Sequence, residues 1–327
     1  MEISRTFLFL FTFALAFVIT CLVENKLIPL LRRRARQPIY SDGPSWHESK
    51  CGTPTMGGLA FLIAFIPIIT AACIYLFYAG ERHSAYTVMI SGIYAIFNAS
   101  IGIIDDLTKL HRRVNAGLSP LQKIVLQAIF TIVFLFLRAE VLGDTTDLSL
   151  GTLTVDLGVF YYPLSAIILL GIVNCANLTD GVDGLAASVS FAIGTTFFFL
   201  FSSVSSDAGV MAAALVGISA AFLVFNVHPA RIFMGDTGSL FLGALVAALG
   251  YSVGNPILLL FVSSVYVVEG VSVILQVLYY KLTGKRIFKM APIHHHLERC
   301  GIGEEKISII AITVTFVFSL IGAILLL

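Results

Sequence analysis

Five short polar runs interrupt an otherwise apolar chain, and each carries residues fit for charge chemistry. Asp105-Asp106 closes an apolar segment and is followed by Lys109, Arg112, Arg113 and Asn115, with Lys123 further on. Two adjacent carboxylates at an apolar boundary repel each other unless a cation or a basic group is close. Adjacent side chains on a helix point about 100° apart, so the pair is expected to divide its work, one Asp facing a metal and the other a phosphate or a lysine. The run Asn174-Cys-Ala-Asn177-Leu-Thr-Asp180-Gly181-Val-Asp183-Gly184 repeats a polar group at Asn177, Asp180 and Asp183. That spacing lines one side of a helical turn. An ordinary capped turn needs one Asp or Asn, not four polar groups, and the two glycines allow close backbone approach.

Phe233-Met-Gly-Asp236-Thr-Gly-Ser239 sets one carboxylate among small residues at a helix start. The free amides there favour anions and suit a metal-bridged phosphate, although a plain helix cap uses similar residues. His294, His295 and His296 follow Ala291-Pro292-Ile293. Three consecutive histidines are too close for the i, i+4 zinc pairing, but imidazoles are good donors to phosphate oxygens. Lys50-Cys-Gly-Thr-Pro-Thr55-Met-Gly-Gly58 offers Lys, Thr and Gly without Walker A spacing, which excludes a P-loop nucleotidase. Carboxylates for a cation, Lys and His for anionic oxygens, and glycine-lined turns together suit phosphoryl transfer.

These runs need elements to carry them, and the composition says which. Of 327 residues, 58% are apolar and only 12% charged, with a mean hydropathy of +0.96. A soluble domain carries roughly a quarter charged residues, so most of the chain is expected to sit in lipid. Segments long enough to cross fall near 6–23, 57–79, 86–104, 121–137, 159–176, 185–204, 208–227, 237–254, 256–280 and 307–326. The reading is an all-α integral membrane protein with ten spans in one domain, residues 1–327. The first segment is too long for a signal-peptide core and lacks a small-x-small cleavage site, which favours an uncleaved span. Residues 145–158 alternate like a small β-hairpin outside the membrane. The five cysteines lack metal-ligand or redox spacing. Basic residues are not pooled in an exposed domain, so nucleic acid is not an expected partner.

With ten spans, the odd-numbered loops share one side and hold all five polar runs. Counting Lys123 just inside the fourth span, they also hold 17 of the 20 Lys and Arg residues, leaving Arg5, Arg82 and Arg138 for the other side. By the positive-inside rule the odd loops are cytoplasmic and both termini are outside. A site at a lipid boundary takes one lipid phosphate and one substrate from the cytosol.

Gly52-Thr-Pro-Thr-Met-Gly-Gly58, Asp105-Asp106, Asn177-Leu-Thr-Asp-Gly-Val-Asp-Gly-Leu185, Met234-Gly-Asp-Thr-Gly-Ser239 and Pro292-Ile-His-His-His296 occur in that order. They resemble the motifs of the phospho-N-acetylmuramoyl-pentapeptide transferases, within the polyprenyl-phosphate N-acetylhexosamine-1-phosphate transferase superfamily. Val182 and Leu297 depart from the residues usual in that pattern, Leu and Phe, without removing a polar group. The resemblance implies transfer of phospho-N-acetylmuramoyl-pentapeptide from UDP-N-acetylmuramoyl-pentapeptide to undecaprenyl phosphate. The products would be lipid I and UMP, in the first membrane step of peptidoglycan synthesis, at the cytoplasmic face of a bacterial plasma membrane. It further implies Mg2+ as cofactor, a homodimer and an open cytoplasmic cleft.

Carried over by position, Asp236 is the principal Mg2+ ligand, with Asp105 and Asp106 beside the lipid phosphate. Lys50, Gly181, Asp183 and Phe233 hold the uridine, the phenyl ring stacking on uracil. Asn174, Asn177, Asp180, Lys109, Lys123, Gln276 and His294 to His296 line the diphosphate and sugar, and Thr55 and Asn115 join the substrate-binding set. The catalytic candidates are Asp105, Asp106, Lys109, Asp236, His294 and His295. Direct attack by the lipid phosphate, with Asp105 assisting as base, is favoured over a phosphorylated Asp. A phosphate monoester has a second pKa of about 6 and is already mostly dianionic at neutral pH. Two rivals remain: a sibling transferase acting on UDP-N-acetylglucosamine, and a secondary transporter, which would bury its polar groups near the midplane at a repeat interface. Glu269 is the one acid well inside an expected span.

Overall fold

In the computed structural model the described residues are 2–34, 52–112 and 117–326. Twelve helices carry almost all of them: α1 Glu2–Arg34, α2 Gly58–Tyr78, α3 Arg82–Arg112, α4 Pro120–Leu137, α5 Tyr161–Thr179, α6 Leu185–Phe201, α7 Ser206–Asn226, α8 Gly235–Ser252, α9 Leu258–Val262, α10 Ser264–Thr283, α11 Ile293–Arg299 and α12 Glu304–Leu326. Local chemistry sets several of their starts. Ser119 caps α4 with a reciprocal Gln122 pair and Pro120 at the first helical position, the arrangement that satisfies orphan amides at a helix start. Ser205 accepts from the Ala208 amide ahead of α7.

The hairpin expected over 145–158 is present. Strand β1, Asp147–Leu150, runs antiparallel to β2, Leu153–Asp156, with Asp147 opposite Asp156. Gly151 turns the chain at φ +62°.

Among the described residues, eight helices are long and apolar enough to cross a membrane: Arg5–Arg32, Gly58–Tyr78, Arg82–Arg112, Pro120–Leu142, Gly158–Thr179, Ser206–Asn226, Ser264–Thr283 and Glu304–Leu326. The chain is therefore a multi-pass membrane protein, and eight of the ten expected segments meet this length and apolarity among those residues. Two of the expected segments differ for physical reasons. Leu185–Phe201 is apolar but only 17 residues long. The segment 237–254 folds as α8, Gly235–Ser252, whose polar first turn lowers its apolar character. The segment 256–280 still supplies a span, Ser264–Thr283, after a break at Ser263.

Helix α8 is enclosed by the others, with every residue from Thr237 to Tyr251 buried. A helix apolar all round has to be sheathed in this way. Small residues bring its neighbours close. A Cβ on Gly102 of α3 would stand 2.3 Å from the Asp236 carbonyl oxygen, and one on Gly58 of α2 would stand 2.2 Å from the Gly238 nitrogen. Aromatic edges fill the remaining space, as Phe61 meets Phe222 and Phe65 meets Phe241, each with ring centroids 5.0 Å apart. On the outside, Phe7, Leu121, Ile132, Leu282 and Ile324 are exposed, as side chains facing hydrocarbon can be.

Candidate functional site

The acid pair ends up divided. Asp106, on the last turns of α3, faces the start of α8 and accepts from the Asp236 amide at 3.1 Å and the Thr237 amide at 2.9 Å. The Thr237 hydroxyl adds a third bond at 2.7 Å. Asp106 thus caps α8 from a different helix, satisfying amides that no α8 residue can reach. Gly235 permits this approach. Its φ is +69°, and a Cβ there would lie 2.6 Å from Asp106 Oδ2.

Asp105 points the other way, fully buried. Its Oδ1 accepts from the Leu118 amide at 2.7 Å and meets Lys123 Nζ at 3.1 Å. Its Oδ2 lies 2.7 Å from Lys109 Nζ. Both ammoniums continue to Asp236, Lys109 to Oδ1 at 3.1 Å and Lys123 to Oδ2 at 2.5 Å. The result is a square of alternating charge: Asp105, Lys109, Asp236, Lys123. Burial works against ionisation of Asp236, but the Lys109 and Lys123 ammoniums outweigh it and hold the carboxyl below the usual carboxylate range.

Asp105, Asp106 and Asp236 each offer one oxygen, all within 4.8 Å of one another. Such a set of hard oxygen donors fits Mg2+, which takes one or two carboxylates and completes its shell with water and substrate phosphates.

Around this centre the sequence candidates fall into two groups. Asn177 donates to Ser239 Oγ at 2.8 Å, and Ser239 donates to the Gly235 carbonyl, so Asn177 sits beside the first turn of α8. Asn174, one turn earlier, bonds the buried Gln127 at 2.8 Å. Thr55 is held nearby because its strand-like stretch pairs with the Phe233 segment: Phe233 N–H to the Pro54 carbonyl, Gly57 N–H to the Phe233 carbonyl and Gly58 N–H to the Met234 carbonyl, each at 2.9 Å. Phe233 itself is half-buried. Asn177 and Thr55 thus stand beside the first turn of α8, which carries Asp236.

The second group gathers at the turn after α5. The expected three-residue line breaks there, because α5 ends at Thr179 and Asp180 is already outside the helix. Gly184 then reverses the chain at φ +76°. Asn174 and Asn177 therefore stay on the helix, whereas Asp183 is buried and turned toward Ala230, whose amide donates to Oδ2 at 3.0 Å. Gly181 packs on the His294 ring, and a Cβ there would meet Nε2 at 2.3 Å.

The three histidines differ in placement. His294 is 1% exposed, with Nδ1 3.1 Å from Glu269 Oε2. His295 pairs with Glu298 at 2.6 Å. His296 accepts from the Lys289 amide at 3.1 Å. Gln276 is occupied by backbone, accepting from the amides of Ile287 and Phe288 and donating to the Phe288 carbonyl. Lys50 and Asn115 lie outside the described residues.

Several supporting groups had no role assigned from the sequence, although Asn226 and His228 stand in the polar run that leads to Asp236. Asn226 joins the two loops, accepting from the Gly184 amide at 3.0 Å and donating to the Ile232 carbonyl at 2.8 Å. Glu304 accepts from the Asp183 amide at 2.8 Å. An acid in the first turn of a helix is common for electrostatic reasons alone, so its type carried no signal. Glu269 did stand out, and its partner is a motif histidine.

A family model for glycosyl transferase family 4 matches residues 87–254. A phospho-N-acetylmuramoyl-pentapeptide-transferase signature matches residues 50–62. Proteins named phospho-N-acetylmuramoyl-pentapeptide-transferase align over nearly the whole chain. The one from Clostridium kluyveri is 40% identical, covering 96% of this chain and 98% of the relative. Those from Desulfitobacterium hafniense and Halalkalibacterium halodurans are 40% and 38% identical, covering 95% and 96% of each chain. With a shared sequence at this level over its full span, the chain belongs to the phospho-N-acetylmuramoyl-pentapeptide-transferase family.

Proposed function

We propose that the chain transfers phospho-N-acetylmuramoyl-pentapeptide from UDP-N-acetylmuramoyl-pentapeptide to undecaprenyl phosphate, releasing UMP and forming lipid I. The observation that carries this reading is the square of Asp105, Lys109, Asp236 and Lys123, set where α3 ends and α4 and α8 begin. A pyrophosphate and a lipid phosphate bring several negative charges together. Two ammoniums held between Asp105 and Asp236 stand ready to meet them.

An oxygen of the lipid phosphate forms the new bond to the sugar-bearing phosphorus. The bond from that phosphorus to the bridging oxygen breaks, and UMP leaves with the electron pair. Mg2+ bound at Asp236, with Asp105 and Asp106 nearby, would supply charge neutralisation for the pyrophosphate. Lys109 and Lys123 turn toward substrate oxygens as the anions arrive. Full burial and the engagement of both its oxygens favour Asp105 as the anchor of these lysines rather than as a base. No base is required where the monoester is already a dianion. Phe233, Gly181 and Asp183 hold the uridine in this reading. His295 and His296 lie toward the diphosphate and sugar, with His294 beneath them.

The same proposal includes ten membrane crossings, counting Leu185–Phe201 and α8, with the site cytoplasmic and both termini outside. It also includes the homodimer, which a molar-mass measurement in detergent checks. The rival sibling activity is tested by offering UDP-N-acetylmuramoyl-pentapeptide and UDP-N-acetylglucosamine separately with one lipid phosphate. Turnover of the first alone supports the proposal, and turnover of the second alone replaces it.

A further inference from the structure

Asp183 is clamped from every side. Its amide donates to Glu304 Oε2 at 2.8 Å, and its carbonyl accepts from Ser308 Oγ at 3.2 Å. Both partners are on α12. Its carboxylate is held from the stretch between α7 and α8, by the Ala230 amide at 3.0 Å and by His228 Nδ1 at 3.0 Å. Glu304 reaches toward that histidine as well, with Oε1 3.7 Å from Nδ1. Two segments far from the turn in sequence thus converge on Asp183, and the Glu304 carboxylate reaches both the Asp183 amide and the His228 ring.

The function proposed above uses Asp183 and Gly181 for the uridine but gives no task to Glu304 or His228. We infer that Glu304 and His228 are positioning residues for the nucleotide half of the site. They set the height and direction of the turn 180–184 by fixing the amide and the carboxylate of Asp183. This rests on the reading that the turn holds the uridine.

The geometry explains why an acid serves at position 304. Asp183 follows two residues that lie outside any helix, so its amide has no helical acceptor and is mostly buried. A carboxylate brought in from the first turn of α12 is a strong acceptor for it. The second carboxylate oxygen faces the ring of His228, and that ring bonds Asp183 in turn. Loss of Glu304 would free the turn at its amide while leaving the carboxylate tied at Ala230. The turn would then pivot instead of unfolding. A pivot at this point moves Gly181 and Asp183 relative to Phe233, but it does not move Lys109, Lys123 or Asp236, which stand on α3, α4 and α8.

The inference predicts a split between substrates. Glu304→Ala should raise KM for the UDP-sugar about tenfold, the equivalent of one strong hydrogen bond. KM for undecaprenyl phosphate and kcat should stay near those of the parent enzyme, while the Asp183 amide left without its acceptor lowers the melting temperature in detergent without preventing folding. Inhibition by UMP should weaken in parallel. Glu304→Gln keeps an oxygen for the Asp183 amide and should recover most of the loss. His228→Ala removes a ring whose side chain is 44% exposed, so it leaves folding intact and should raise the same KM by a smaller factor.

Asp183→Ala is the control that separates the two claims. If it leaves nucleotide KM unchanged, the uridine reading of this turn fails. If Asp183→Ala raises that KM while Glu304→Ala and His228→Ala do not, the uridine reading survives and the positioning role is overturned. Equal effects of Glu304→Ala on both KM values, or a fall in kcat alone, would also overturn it. Should Glu304→Ala fail to fold, Glu304→Gln and His228→Ala decide the question on the same readouts.

Discussion

Asp106 and Thr237 lie 131 residues apart in the chain, yet the Asp106 carboxylate accepts from both the amide and the hydroxyl of Thr237, at 2.9 and 2.7 Å. This contact ties the end of α3 to the start of α8 and sets where Asp236 stands. Asp106→Ala should leave buried amides without an acceptor and destabilise the protein by about 1–3 kcal/mol. Thermal unfolding in detergent measures this, and an unchanged melting temperature would count against the capping role.

Asp236→Asn should retain the fold and lose nearly all turnover. It removes the charge that Lys109 and Lys123 share with Asp105 and weakens the candidate Mg2+ site. Turnover near that of the parent at ordinary Mg2+ concentration would remove Asp236 from the centre of the mechanism.

Two glycine substitutions test how tightly α3 is seated. Gly102→Ala drives a methyl group to within 2.3 Å of the Asp236 carbonyl, so α3 and α8 must part. Overpacking of this kind costs about 1–3 kcal/mol, and here it displaces the aspartates as well. Gly171→Ala meets nothing within 4 Å and should be tolerated, since alanine is the better helix former. Activity and melting temperature of the pair should diverge sharply; equal behaviour would mean that the close crossing is unimportant.

Phe233→Ala should weaken binding of uridine-based inhibitors more than it lowers turnover at saturating substrate. Stacking of a base on an aromatic ring is worth about 1–3 kcal/mol by alanine substitution. Calorimetry on the inhibitor complex checks this, and unchanged affinity would move the uracil site elsewhere.

The acid pair shows how far residue pattern reaches. That Asp105 and Asp106 serve different ends was legible from the 100° between neighbouring helix positions. Which one takes the lysines was not, because Thr237 and Lys123 reach them only through the packing of α8 and α4 against α3. The Asn177, Asp180, Asp183 spacing was legible as a polar cluster but misleading as a helical line. Thr179 ends α5, and Gly184 turns the chain in the left-handed region. Apolar length found most of the membrane helices, yet it could not show that Ser263 divides one of them. Nor could it reveal Glu304, whose importance depends on an amide 121 residues away.

Topology underlies every chemical statement, because groups on opposite faces of a hydrocarbon core about 30 Å thick cannot meet at one phosphate. Asn115→Cys and Leu297→Cys, each in a Cys-free variant, should stay unlabelled by a membrane-impermeant thiol reagent in intact cells and react after lysis. Labelling of either one from outside would break the shared cytoplasmic site.

The central claim is tested most directly by UMP release from the purified protein in detergent, supplied with UDP-N-acetylmuramoyl-pentapeptide. The account predicts UMP only when undecaprenyl phosphate and Mg2+ are both present, and next to none when either is withheld or when Asp236→Asn replaces the parent chain. Release at the same rate without the lipid phosphate, or with Mg2+ removed by chelation, would contradict it.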